Sequence, residues 1–144
     1  MQNDYETILK ENGILVFVPG GYSMWPTLKN AGQTVVVAPK TARLDKYDVA
    51  LYRRDSGQYV LHRVIKVEED GYVICGDSQF AEEAVKEEAV IGVMQGYYKG
   101  RKYVPADNGK GSKKAKFLYR HKFIKRVAVK LFYLFRGGRR KNEG

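Results

Sequence analysis

The sequence predicts a mainly β, antiparallel domain followed by a basic helical tail. Short segments rich in Val, Ile and Tyr alternate apolar and polar side chains with a period of two, and turn residues separate them. Positive charge is concentrated near the C-terminal end. The 144 residues, 44% of them hydrophobic, suffice for one domain with a substantial core and leave little room for a second.

The expected elements follow one another along the domain. A short helix over residues 4–11 should end at Gly13, because glycine readily adopts the left-handed conformation of a helix end. The apolar run 14–18 then leads into a rigid corner. Alternation predicts strands at 34–38, 48–53, 59–67, 72–75 and 90–98, and a last short strand near Tyr103. Turns rich in Gly and Asp at 54–57 and 69–71 predict hairpins.

Charge divides the chain into two regions. Residues 1–111 hold fourteen basic and fifteen acidic residues, whereas residues 112–144 hold twelve basic residues and one acidic residue. The change falls in a glycine-rich polar stretch at 107–112 that is typical of a linker or loop. We therefore expect a domain at 1–111 and a basic tail at 112–144.

The tail has the pattern of one basic amphipathic helix. At 100° per residue, the segment 117–136 places most of its apolar side chains in one arc, which Arg120 and His121 interrupt, and most of its cations roughly opposite. A final basic cluster follows at 139–141. Such a helix suits an anionic membrane surface, reached here through residues 113–141. Two alternatives are packing of the apolar arc on the β domain and, less favoured, nucleic-acid binding.

Several classes of protein are not expected. Cys75 is the only cysteine, so no disulfide framework forms within the chain, and two distant histidines argue against a metal site. We expect no cofactor. The polar, acidic N-terminus lacks the features of a secretory signal, and no run of about eighteen apolar residues occurs. The last two features favour a cytoplasmic location, and the basic tail favours a peripheral position on the membrane. None of these features indicates the oligomeric state.

The corner GGYSMWPTL contains a candidate nucleophile, Ser23. A serine hydroxyl needs a base within hydrogen-bond reach, and His62 is the only histidine of the domain. On a strand, His62 would share one face with Val60 and Val64. Its ordinary pKa near 6.5 suits a general base. A carboxylate from the segment GDSQFAEE would fix its tautomer, and the candidates there are Asp77, Glu82 and Glu83.

Taken alone, Ser23 is typical of a turn residue and His62 of a structural histidine. Five segments keep a fixed order along the chain: GYSMWPTL at 21–28, YDVAL at 47–51, HRVI at 62–65, GDS at 76–78 and VIGV at 90–93. Together they resemble the ordered boxes of type I signal peptidases. Because the second box carries His62, the resemblance is to the Ser-His branch. It implies the coiled, partly barrel-like β-sheet of signal peptidases and self-cleaving repressors.

The resemblance also implies an activity. The chain would be a serine endopeptidase that removes a leader or signal segment from a peptide or preprotein, with Ser23 as nucleophile and His62 as base. Asp77 would orient His62, with Glu83 as the alternative. Met24 and Trp25 would line a small substrate pocket or close the core. The residues before Ser23 contain no Ala-Gly or Cys-Gly pair for self-cleavage, so we expect cleavage in trans.

The sequence departs from the family's pattern at several positions. Gln33, Tyr47 and Ser78 replace an aspartate, a glycine and an asparagine, and no run among these residues predicts the family's transmembrane anchor. None of these changes removes a proposed catalytic atom. The alternative function is a catalytically silent β module that binds a peptide or attaches to a membrane through its basic tail.

Overall fold

The computed structural model describes residues 4–29 and 32–142, with side chains described as far as Arg136. The chain divides into two compact units, Met1–Ser112 and Lys113–Gly144. The division falls one residue after the boundary drawn from charge.

The first unit begins with helix α1, Tyr5–Asn12, which Gly13 ends in the left-handed conformation with φ of 69°. Eight strands follow: β1 Leu15–Phe17, β2 Val35–Pro39, β3 Val49–Arg53, β4 Tyr59–Val67, β5 Gly71–Cys75, β6 Glu83–Lys86, β7 Val90–Lys99 and β8 Lys102–Pro105. A 3₁₀ turn, Glu87–Ala89, precedes β7. The prediction of a mainly β domain with a short N-terminal helix is confirmed.

The strands form one antiparallel sheet in the order β1-β2-β7-β3-β4-β5-β6. The long strand β7 pairs with β2 along one edge; along the other edge it pairs with β3 over its first half and β8 over its second. The sheet is open, with β1 and β6 as its ends in the described part of the chain. The expected closure into a partial barrel is not confirmed.

Two elements differ from the expectation. Strand β6 was not predicted, because its sequence EAVK is short, half charged and at the sheet edge, where alternation is weak. The tail forms two helices rather than one: α2, Lys113–Arg120, and α3, Lys122–Asn142. They meet at His121, whose N–H donates to the Phe117 carbonyl and whose carbonyl accepts from Lys125 N–H. His121 therefore ends one helix and caps the next.

Both faces of the sheet are covered by apolar cores. Strand β3 contributes Val49 and Leu51 to one core and Ala50 and Tyr52 to the other, as the alternation of a strand requires. Helix α1 and the corner that contains Ser23 close the first core, through Leu9, Met24 and Leu28. The corner is therefore held against the sheet by burial of its own apolar side chains.

Within the described residues, the helices include none with both the length and the apolar character needed to cross a membrane.

Candidate functional site

The corner between β1 and β2 holds Ser23 half-buried at the surface of the sheet. Backbone hydrogen bonds from Trp25 N–H to the Tyr22 carbonyl (3.0 Å) and from Leu28 N–H to the Met24 carbonyl (2.9 Å) tighten the chain on either side of it. Gly21 adopts a φ of 73°, which other residues rarely reach. The corner thus fixes the backbone from which the hydroxyl of Ser23 projects.

Ser23 meets the predicted base. Its Oγ lies 3.0 Å from Nε2 of His62, a normal hydrogen-bond distance. His62 is 7% exposed and lies near the middle of β4, flanked by the buried residues Val60 and Val64. The two residues, thirty-nine positions apart in sequence, are brought together by a rigid corner and a buried strand.

The opposite nitrogen of the imidazole faces a tyrosine. Nδ1 of His62 lies 3.5 Å from the Tyr52 hydroxyl, at the long end of the hydrogen-bond range. Tyr52 pairs with Val60 across β3 and β4, whereas His62 pairs with Ala50, so Tyr52 and His62 are diagonal neighbours on one face. The Tyr52 hydroxyl in turn donates to Oε2 of Glu83 (3.1 Å).

Glu83 reaches this position through the strand register. Val64 pairs with Ile74, and Ile74 pairs with Glu83, so the Glu83 side chain emerges on the same face as that of His62. Three strand steps separate β3 from β6, which in a flat sheet is roughly 14 Å. The hydrogen bond between Tyr52 and Glu83 therefore joins two strands that are not neighbours in the sheet. Arg54 secures the carboxylate from the other side through Nε at 2.9 and 3.1 Å.

The electrostatics favour a neutral His62. Burial is the main cause that lowers the pKa of His62 below its ordinary 6.5, and the Arg54 cation adds to it, while the charges of Glu83 and Asp77 oppose the shift. Burial raises the pKa of Tyr52, and the hydrogen bond from Arg54 lowers the pKa of Glu83.

The protonation states define a directed chain of hydrogen bonds. The Tyr52 hydroxyl stays protonated and donates a hydrogen bond to the ionised Glu83 carboxylate. Its oxygen can then accept a hydrogen bond from Nδ1–H of His62. The tautomer with a proton on Nδ1 has an unprotonated Nε2, which faces the Ser23 hydroxyl. This is the arrangement that removal of the serine proton requires.

Asp77, which was expected to orient His62, instead binds Arg63 and Thr27. It is fully buried, and Arg63 binds both of its carboxylate oxygens, at 2.9 and 3.0 Å, while the Thr27 hydroxyl also donates to it. Within the described residues, the ring nitrogens of His62 are hydrogen-bonded to Ser23 and Tyr52. The expected direct contact between Asp77 and His62 is not formed. The reason is that buried Arg63, adjacent to His62 in β4, requires a carboxylate partner.

The turn around Asp77 instead clamps the corner. The backbone N–H of Ser78 donates to the Ser23 carbonyl (3.0 Å), and the Ser78 hydroxyl donates to the Tyr22 carbonyl (2.8 Å). Gly76 lies so close that an added Cβ would come within 2.7 Å of the Ser23 carbonyl oxygen. The segment 76–78 therefore fixes the candidate nucleophile rather than the candidate base.

A cleft of about 700 Å³ opens beside Ser23 and His62. Met24 lines this cleft. Trp25, which is half-buried, does not belong to the lining formed by the residues that the structure describes. Apolar side chains from β1, β3 and β4 contribute to the wall, among them Phe17, Leu51 and Leu61. Glu82, the remaining acidic candidate, is exposed just before β6.

Sequence reasoning missed Tyr52, Arg54, Arg63 and Thr27. A usable signal existed for Tyr52, because the turn at 54–57 sets the β3–β4 register and so makes Tyr52 a diagonal neighbour of His62. The alternation of β4 likewise put Arg63 on a buried face, where a carboxylate partner is needed.

Comparison with models of known protein families finds no match to this chain. A search of curated proteins finds no similar sequence.

Proposed function

We propose that the chain is a serine endopeptidase in which Ser23 attacks a peptide bond and His62 acts as the base. The observation that carries the proposal is the 3.0 Å contact between Ser23 Oγ and His62 Nε2, in a cleft large enough for a short peptide segment. The lowered pKa of His62 supports it, because a neutral imidazole is available at neutral pH.

The chemistry follows the general pattern of serine hydrolysis. Nε2 of His62 takes the Ser23 proton as Oγ bonds to the substrate carbonyl carbon, and the imidazolium then gives the proton to the leaving amine. Water, deprotonated by the same nitrogen, breaks the resulting ester and frees Ser23. Backbone N–H groups of the corner, that of Ser23 among them, would stabilise the negative carbonyl oxygen.

Tyr52 and Glu83 act as positioning residues in this proposal. The charge on Glu83, transmitted through the Tyr52 hydroxyl, favours Nδ1–H and stabilises the positive imidazolium that forms during attack. Arg54 keeps Glu83 ionised and aligned. Asp77 holds Arg63 and the corner in place, one step removed from the reaction.

The proposed substrate is a leader or signal segment of a peptide or preprotein, bound in extended form and cleaved in trans. Strand β1 stands at one end of the sheet and leads into the corner, and Val18, which follows it, lines the cleft and is about half exposed. An extended segment can add to such an edge by main-chain hydrogen bonds. The resemblance to signal peptidases extends the proposal to their coiled, barrel-like fold and to small residues at the cleavage site.

The test is cleavage of a mixed peptide library by the full chain, read by mass spectrometry. We expect a defined set of products from the wild type and from Ser56→Ala, which changes an exposed serine in the turn after β3. Ser23→Ala should give none of them. Products that persist in Ser23→Ala would contradict the proposal, and a wild type that binds peptides without cleaving any would favour the silent β module.

A further inference from the structure

Helix α3 carries an exposed apolar face. Its members are 43 to 78% exposed: Phe123, Ile124, Val127, Leu131, Leu134 and Phe135. At 100° per residue these six side chains fall within an arc of about 120° along one side of the helix. The arc, which we call the apolar face, contains no charged side chain among the described residues.

The rest of the helical unit is basic. The segment 113–142 has no acidic residue. Lys122, Arg126 and Lys130 are exposed, and Lys130 adjoins the apolar face in projection. Lys125 lies on the side away from the apolar face and stacks over the Tyr119 ring at 4.5 Å. The unit therefore combines a one-sided apolar surface with charge of a single sign.

Three possible partners of the apolar face differ in whether they bury its apolar side chains and whether they neutralise the neighbouring cations. Nucleic acid would neutralise the cations but leave aliphatic side chains such as Leu131 and Leu134 in water. A second copy of the helix would cover the apolar face but bring two basic helices together. An anionic bilayer satisfies both, since the acyl region accepts the apolar face and the headgroups accept the cations.

We propose that α3 binds in the plane of an anionic membrane surface, with the apolar face inserted below the headgroups. The 21-residue helix is about 31 Å long, so its apolar side chains are spread along the surface. Binding draws on apolar burial and on charge, so it depends on lipid composition and salt. The inference does not depend on the proposed peptidase activity.

The experiment is flotation of the full chain with vesicles of pure phosphatidylcholine and with vesicles that also contain phosphatidylglycerol. We expect binding to the anionic vesicles, weakened by salt, and little to the neutral ones. The triple variant Ile124→Ser, Leu131→Ser, Leu134→Ser, which keeps every charge, should bind about tenfold more weakly or worse. The matched control is Tyr133→Ser, which changes an equally exposed side chain (47%) outside the apolar face and should bind as the wild type.

Three results would overturn the inference. The first is equal binding of the triple variant and the wild type to anionic vesicles. The second is a wild type that does not float but forms a dimer that the triple variant loses, which would assign the apolar face to a second copy. The third is tight binding of nucleic acid without vesicle binding. Circular dichroism of each variant distinguishes loss of the surface from loss of the helix.

Discussion

The candidate site depends on the protonation of a single residue, His62. Its imidazole has a hydroxyl on each side, Ser23 at Nε2 and Tyr52 at Nδ1, and only the neutral ring can accept the serine proton. Burial and Arg54 lower its pKa, while Glu83 and Asp77 raise it. The neutral form predominates above the pKa, so any acid limb of activity should lie below pH 6.5.

Nuclear magnetic resonance can measure this pKa without a substrate. The chain has two histidines, so His121→Gln assigns the His62 signal. We expect a His62 pKa below 6.5 in the wild type. Arg54→Gln should raise it by removing a nearby cation, and Glu83→Gln should lower it by removing a nearby anion. A wild-type pKa at or above 6.5, or shifts of the same sign in both variants, would contradict the described environment.

A site residue could be predicted from the sequence where its residue type and its local sequence already indicate a chemical role. Ser23 and His62 stand out as the serine of a Gly- and Pro-rich corner and the only histidine of the domain, and they do meet. The partner of His62 could not be chosen by residue type alone. A carboxylate was expected, but the favoured candidate, Asp77, is bound by Arg63, and a tyrosine lies between His62 and Glu83.

Among the elements, the turn 76–78 has the clearest effect on the site. It holds the corner by two hydrogen bonds from Ser78 and by the close approach of Gly76. A displacement of the corner would move Ser23 Oγ away from His62, because the corner backbone carries that side chain. The turn thus couples the end of β5 to the position of the candidate nucleophile.

Gly76→Ala tests this coupling. Its Cβ would meet the Ser23 carbonyl oxygen at 2.7 Å, and because that atom is backbone, the corner must shift relative to the turn 76–78. We expect the reaction of Ser23 with a fluorophosphonate to slow on the order of a hundredfold, as a displacement near 1 Å can cause. Gly111→Ala, which meets nothing within 4 Å, should react as the wild type. Equal rates for the two variants, measured with a fluorophosphonate probe, would show that the turn 76–78 does not position Ser23.

Strong local patterns predicted most elements. Strand β4 has the predicted limits, because alternation and turn residues define both of its ends. Strand β6 could not be found in this way, since pairing with β5 rather than its own composition makes it a strand. The break at His121 was not predicted, although Arg120 and His121 interrupt the apolar arc at that point, because a polar side chain in the arc does not by itself end a helix.

At the scale of the whole molecule, the candidate site and the excess positive charge belong to different units. The site residues all belong to the unit Met1–Ser112, and the excess of basic residues belongs to Lys113–Gly144. The triple variant of the apolar face should therefore react with the fluorophosphonate probe within about twofold of the wild-type rate, while losing vesicle binding. A large fall in the reaction rate, with the helix retained by circular dichroism, would show that the two units are not independent.

The most direct test of the central claim is reaction of the full chain with a fluorophosphonate, with the adduct located by peptide mass spectrometry. The wild type should carry one adduct, on Ser23. In His62→Ala its rate of formation should fall a hundredfold or more, on the order expected for loss of a general base. An adduct on another residue, or an unchanged rate in His62→Ala with the fold retained, would contradict the claim that His62 activates Ser23.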